Sequence, residues 1–117
     1  MAPPKLGDDM TSDDVEDLFE RAREASDLLK ALSHETRLII LCLLTEGERS
    51  VSELEETLSM SQAAVSQQLA RLRFDRLVTT RRDGRTIYYS IANDDVRAVI
   101  VQLYDIFCKP VRSPAKD

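Results

Sequence analysis

The chain predicts a mainly α-helical fold carrying one β-hairpin, and three observations lead there. Apolar residues recur at helical spacing through most of the sequence. The period changes to two only between residues 77 and 91. Polar residues able to cap a helix stand ahead of five apolar segments.

Residues 1–10 hold Pro3, Pro4 and Gly7 and read as a disordered tail. Residues 110–117 read as a polar tail, which leaves residues 11–109 as one domain. Thr11 or Ser12 caps helix 1, residues 13–32, whose acidic first turn suits the helix dipole. Val15, Leu18, Phe19, Ala22, Ala25, Leu28, Leu29 and Leu32 form its apolar stripe. Ser33 caps helix 2, residues 34–45, a short buried segment with Cys42 in its apolar heart. Ser50 and Glu53 have capping-box spacing and open helix 3, residues 51–57. Ser61 caps helix 4, residues 62–75, with Ala64, Val65, Leu69 and Leu72 facing inward.

Two strands follow, residues 77–82 and 85–91, with Asp83-Gly84 between them. That dipeptide is a hairpin signal, because both central positions of a type I′ turn need positive φ. Asn93 caps helix 5, residues 94–108, which Pro110 and Pro114 stop.

Composition bounds the function. No Trp and only three Phe and three Tyr are present, so aliphatic residues must fill the core. No apolar run approaches the roughly 18 residues of a membrane span. Met1 to Met10 lacks the apolar stretch of a signal peptide, so a cytoplasmic protein without membrane contact is expected. Thiols there are kept reduced, which argues against a permanent disulfide between Cys42 and Cys108.

The net charge of −5 first argues against nucleic acid, but its distribution reverses that. Residues 61–85 carry six arginines against two aspartates, +4, which leaves −9 for the rest. A basic island in an acidic chain suits a DNA face, and equally a solvated arginine-rich surface.

Motif order separates these two. Two short helices, a tight turn and a basic hairpin make a winged helix-turn-helix. A recognition helix needs small or amide side chains near its start to approach the major groove. Ser61, Gln62, Ala63, Ser66 and Gln67 fit that need. Arg71 and Arg73 are placed to hold phosphates, and Arg81, Arg82 and Arg85 flank the hairpin tip to reach flanking DNA. Taken singly, the Ser-Gln start is also a good cap, and the hairpin is also a structural element.

The segments Leu32-Ser33-His34-Glu35-Thr36-Arg37-Leu38-Ile39-Ile40-Leu41, Val51-Ser52-Glu53-Leu54, Ser61-Gln62-Ala63-Ala64-Val65-Ser66-Gln67-Gln68-Leu69 and Asp83-Gly84-Arg85 resemble the ArsR family of dimeric bacterial repressors. The resemblance covers roughly residues 15–108. It implies four helices, two strands and a fifth helix, with helices 1 and 5 forming a homodimer. It also implies double-stranded operator DNA as partner and repression relieved by an inducer. Glu55 stands where a small residue is common in the turn motif, and Ser59 where Gly is common. His34 and Arg37 fall in the structural opening of helix 2; His34 reads as a cap or a core hydrogen-bond donor, and Arg37 as a structural ion-pair or backbone contact.

Many relatives of this type sense metals, but the ligand inventory is poor. No thiol lies in or beside Val51-Ser52-Glu53-Leu54, helix 5 has no His, and His34 is the only His of the chain. No metal or other cofactor is expected, and Asp94, Asp95 and Asp105 read as helix-start charge and solvated surface. By composition, Cys42 and Cys108 are equally two core thiols. One Cys on helix 2 and one ending helix 5, however, resembles the persulfide-responsive SqrR/BigR-like subgroup.

By that resemblance the end of helix 5 packs near helix 2, and a low-molecular-weight persulfide reacts with one thiolate. The other thiol resolves the adduct as a Cys42–Cys108 di- or polysulfide, and derepressed genes handle sulfide. Peroxide sensing and soft-metal sensing by two thiols stay open. A thiol oxidoreductase would carry Cys-x-x-Cys at a helix start, and neither cysteine has such a neighbour, so no enzyme is expected.

Overall fold

A computed structural model describes residues 9–108. The expected tails, residues 1–10 and 110–117, therefore lie outside the described residues except for Asp9 and Met10. The described chain divides into two compact units that meet in sequence between Lys30 and Ala31.

The first unit is built on helix α1, Ser12–Leu32, which runs into the second. Thr11 caps it: its Oγ1 accepts from the Asp14 amide at 3.2 Å, and its own amide donates to the Asp14 carboxylate at 3.0 Å. Val15, Leu18, Phe19 and Leu29 on the predicted apolar stripe stay exposed in the single chain.

The second unit holds the core. Helix α2 is Glu35–Leu44, strand β1 Arg49–Ser50, helix α3 Val51–Leu58 and helix α4 Gln62–Phe74. Strands β2, Val78–Asp83, and β3, Thr86–Ile91, form the hairpin. Helix α5, Asp94–Leu103, continues as a π-helical turn over Tyr104–Cys108. Ile40, Leu41 and Leu44 of α2 pack with Leu54 of α3, Val65, Leu69 and Leu72 of α4, and Ile100 of α5, all buried. The core is aliphatic, as the composition requires.

The predicted caps at Ser50, Ser61 and Asn93 accept the amides of Glu53, Ala64 and Val96 at 3.2, 3.2 and 2.9 Å. The capping box closes when the Ser50 amide donates to Glu53 Oε1 at 2.8 Å. At α2 the expectation needs correction. The N-cap is His34, not Ser33, and its side chain makes no capping bond.

Three further corrections concern the sheet and the last helix. The sheet has three strands, in the order β1-β3-β2, because Arg49 and Ser50 pair antiparallel with Tyr89 and Tyr88. The hairpin register runs from Val78↔Ile91 to Asp83↔Thr86, so the two-residue loop is Gly84-Arg85 and not Asp83-Gly84. Only Gly84 has positive φ there, +65°, which is the type II′ and not the type I′ pattern. The helical stretch of residues 94–108 is not uniformly α, since its last five residues widen into the π turn.

Ser59, which departs from the usual Gly, is left-handed at φ 54°, ψ 45° and ends α3. A side chain there costs roughly 1 kcal/mol against Gly. Ser59→Gly is therefore expected to raise the thermal midpoint by a few degrees. A lowered midpoint in a circular-dichroism melt would show that the hydroxyl, not the backbone, governs this position.

Candidate nucleic-acid interface and thiol site

Helix α4 turns Val65, Leu69 and Leu72 inward at helical spacing, and this leaves its opposite face open. Ser61, Gln62, Ala63 and Gln67 are exposed there, and Ser66 is half-buried. Arg37 fixes the helix from behind: Nη1 donates to Gln68 Oε1 at 3.2 Å and Nε to the Ala31 carbonyl at 2.9 Å. That is the structural role expected of it. Arg71 is paired with Asp75 at 3.0 Å, one turn on, while Arg73 is exposed without an ion pair among the described residues.

The wing arginines divide. Arg82 and Arg85 are exposed around the tip and have no ion pair among the described residues. Arg81 is held by Glu48, with its Nε 3.0 and 3.1 Å from the two carboxylate oxygens and its Nη2 2.6 Å from one of them. Its guanidinium also lies 4.8 Å from the Tyr88 ring centroid. Glu48, which sequence reasoning did not single out, keeps its carboxyl below the usual range because of the hydrogen bond from Arg81.

The two cysteines come together. Cys42 is 8% exposed, Cys108 is half-buried, both are free thiols, and both line one pocket. Burial first, and then the neighbouring Cys108, push the Cys42 thiol up to about 11. At neutral pH Cys42 is therefore held as the thiol, which disfavours it for the first attack.

Both sulfurs border a pocket of about 380 Å³. Leu38, Ile39, Leu43, Thr57 and Tyr104 also line it, with Glu46 and Arg49, ion-paired at 3.1 Å, completing the wall. The pocket is not visible in sequence, because its lining comes from elements far apart in the chain. Among the described residues no three His, Cys, Asp or Glu side chains gather as a metal site, and His34 is exposed at the other end of α2. No described helix is long and apolar enough to cross a membrane.

Selective labelling follows from this asymmetry. Iodoacetamide at pH 8 is expected to modify Cys108 and spare Cys42 until the pH nears 11, as read by peptide mass spectrometry. Equal labelling at pH 8 would contradict the burial of Cys42. The same shift bears on stability. The unfolded thiol ionises near 9 and the folded one near 11, so its contribution is full below pH 9 and lost as pH rises toward 11.

An open helix face with a small and amide start, a helix-turn-helix before it and a basic wing after it define a winged-helix transcriptional regulator. Residues 34–80 match the family described as bacterial regulatory protein, arsR family. The transcriptional activator HlyU of Vibrio cholerae is 41% identical over 95 residues, 81% of this chain and 88% of that one. The solved structure of its reduced form superposes with a TM-score of 0.76 over 80% of this chain and 98% of that one, at 42% identity.

The biofilm growth-associated repressor of Agrobacterium fabrum is 46% identical over 91 residues, 78% of each chain. The crystal structure of the transcriptional repressor BigR from Xylella fastidiosa gives a TM-score of 0.77 at 41% identity, over 85% and 98% of the two chains. The chain belongs to the ArsR family of bacterial regulatory proteins. These relatives are named as transcriptional regulators, not as enzymes.

Proposed function

We propose that the chain is a homodimeric, cytoplasmic repressor of double-stranded operator DNA that low-molecular-weight persulfides release. The observation that carries this reading is that Cys42 and Cys108, 66 positions apart in sequence, come together in the lining of one pocket. In this reading Gln62 and Gln67 read base edges. Arg73, Arg82 and Arg85 neutralise phosphates, and Ser61, Ala63 and Ser66 allow close approach. Dimerisation through α1 and α5 is supported by apolar side chains that each helix leaves open, Phe19 and Leu29 on one and Val99 and Val101 on the other. Two such copies would set their recognition helices about 34 Å apart, one turn of DNA.

The chemistry balances with the persulfide as oxidant. Cys108 gives up its proton and its thiolate attacks the outer sulfur of R–S–SH; the S–S bond breaks and RS− leaves, taking up that proton as RSH, which gives Cys108–S–SH. Cys42 then attacks the inner sulfur, and its proton leaves with the outer one as hydrogen sulfide, closing Cys42–S–S–Cys108. With persulfide in excess, Cys108–S–SH first attacks the outer sulfur of a second R–S–SH and releases another RSH. Cys42 then attacks the middle sulfur of Cys108–S–S–SH, hydrogen sulfide leaves, and the bridge keeps one extra sulfur. The pocket volume falls in the range of small-molecule sites, and its apolar walls suit the organic group of the donor.

Mass spectrometry after an organic persulfide, hydrogen peroxide or glutathione disulfide tests the reading. The expected product is a Cys42–Cys108 crosslink carrying extra sulfur with the persulfide alone. A plain disulfide formed equally well by peroxide would make the protein a general thiol-redox regulator.

A further inference from the structure

We propose that the Glu48–Arg81 ion pair is a latch through which the loop lining the thiol pocket sets the position of the wing. Arg81 is then a positioning residue, and phosphate contacts on the wing fall to Arg82 and Arg85. The proposal rests on the DNA-binding and thiol-sensing reading above.

The loop from Thr45 to Glu48 joins α2 to β1 and is tied on several sides. Thr45 Oγ1 donates to the Cys42 carbonyl at 2.6 Å, one turn after the thiol. The Thr45 carbonyl accepts from Arg97 Nη1 of α5 at 3.1 Å. Glu46 lines the pocket and is paired with Arg49, the first residue of β1. Arg49 is paired in the sheet with Tyr89 of β3. Glu48 carries the loop's side-chain bond to β2.

An exposed ion pair by itself contributes little. This one differs in geometry. Both carboxylate oxygens and two guanidinium nitrogens take part, and Tyr88 lies against the guanidinium, so the direction of the side chain is fixed. Residues 81–86 are all exposed, and Glu48 ties them to the body of the domain from outside their own ladder. Glu48 also neutralises Arg81, so the arginine has to leave its carboxylate before it meets a phosphate. A Cys42–Cys108 bridge draws on the end of α2, and the loop carries the displacement to Glu48 and the outer half of β2.

The test uses a duplex selected from a random pool by the reduced wild-type protein, with fluorescence anisotropy before and after an organic persulfide. It compares Glu48→Gln, Arg81→Gln and the exchanged double variant Glu48→Arg with Arg81→Glu. Each single variant is expected to lose about 3–10-fold in reduced-state affinity and most of the persulfide response. The exchanged pair restores both, because it rebuilds the latch while placing a carboxylate at position 81. An exchanged variant as weak as Arg81→Gln would make Arg81 a DNA contact and overturn the latch. Single variants that keep the full wild-type response would overturn it too. Wild-type protein that does not bind DNA or does not respond would overturn the reading beneath it.

Discussion

Cys108→Ser is expected to bind DNA as the wild type does and to lose its response to persulfide. Cys42 is buried and held as a thiol at neutral pH, so the half-buried Cys108 is the sulfur available for first attack. Serine keeps the size of the side chain and removes the nucleophile. A response on the usual scale of about 5–150-fold in affinity therefore collapses to about one. Cys42→Ser is expected to lose the response as well, but by a different route. The persulfide on Cys108 then has no resolving thiol and accumulates, visible as one added sulfur in the intact mass. A Cys108→Ser protein that still releases DNA would place the sensor elsewhere, and one that cannot bind DNA would make the thiol structural.

Leu69→Ala is expected to be the most damaging change for the fold. Leu69 is fully buried in the middle of α4, between Val65 and Leu72, and it holds the recognition face against the core. A buried Leu to Ala change costs about 2–5 kcal/mol, against a total of about 5–15 for a domain. For a domain of this size that lowers the thermal midpoint by about 10–20 °C. Arg73→Ala, on the exposed face of the same helix, is expected to move it by less than about 3 °C, its effect being about ±0.5 kcal/mol. A melt in which the two variants behave alike would show that α4 is not anchored through Leu69.

What is legible in the sequence is what local forces decide. Thr11, Ser50, Ser61 and Asn93 each satisfy an amide three residues on, so the helix starts can be read from a few neighbouring positions. The burial of Val65, Leu69 and Leu72 follows from spacing alone. Strand β1 is not legible, because Arg49 and Ser50 are extended only by pairing with Tyr89 and Tyr88, far along the chain. The hairpin loop shifts by one position from its local signal. Asp83-Gly84 is the better local turn, but burial of Val78 and Ile91 at the base sets the register, and counting outward leaves Gly84-Arg85 at the tip. At the site, the recognition face is readable from its own helix. The meeting of Cys42 and Cys108 comes only through family resemblance, and the hold of Glu48 on Arg81, 33 residues apart, leaves no local mark.

The π turn at Tyr104–Cys108 has a consequence for anyone moving this thiol pair to another scaffold. Residues on an α-helix advance by about 100° each, so one residue more or less resets the phase of everything after it. A π turn takes up one residue without passing that rotation on in the ordinary way. Deleting a single residue from this turn would regularise the helix and swing the terminal sulfur away from its partner, although every residue contacting it remained. Spacing counted along a regular helix would thus graft the second cysteine onto the wrong side.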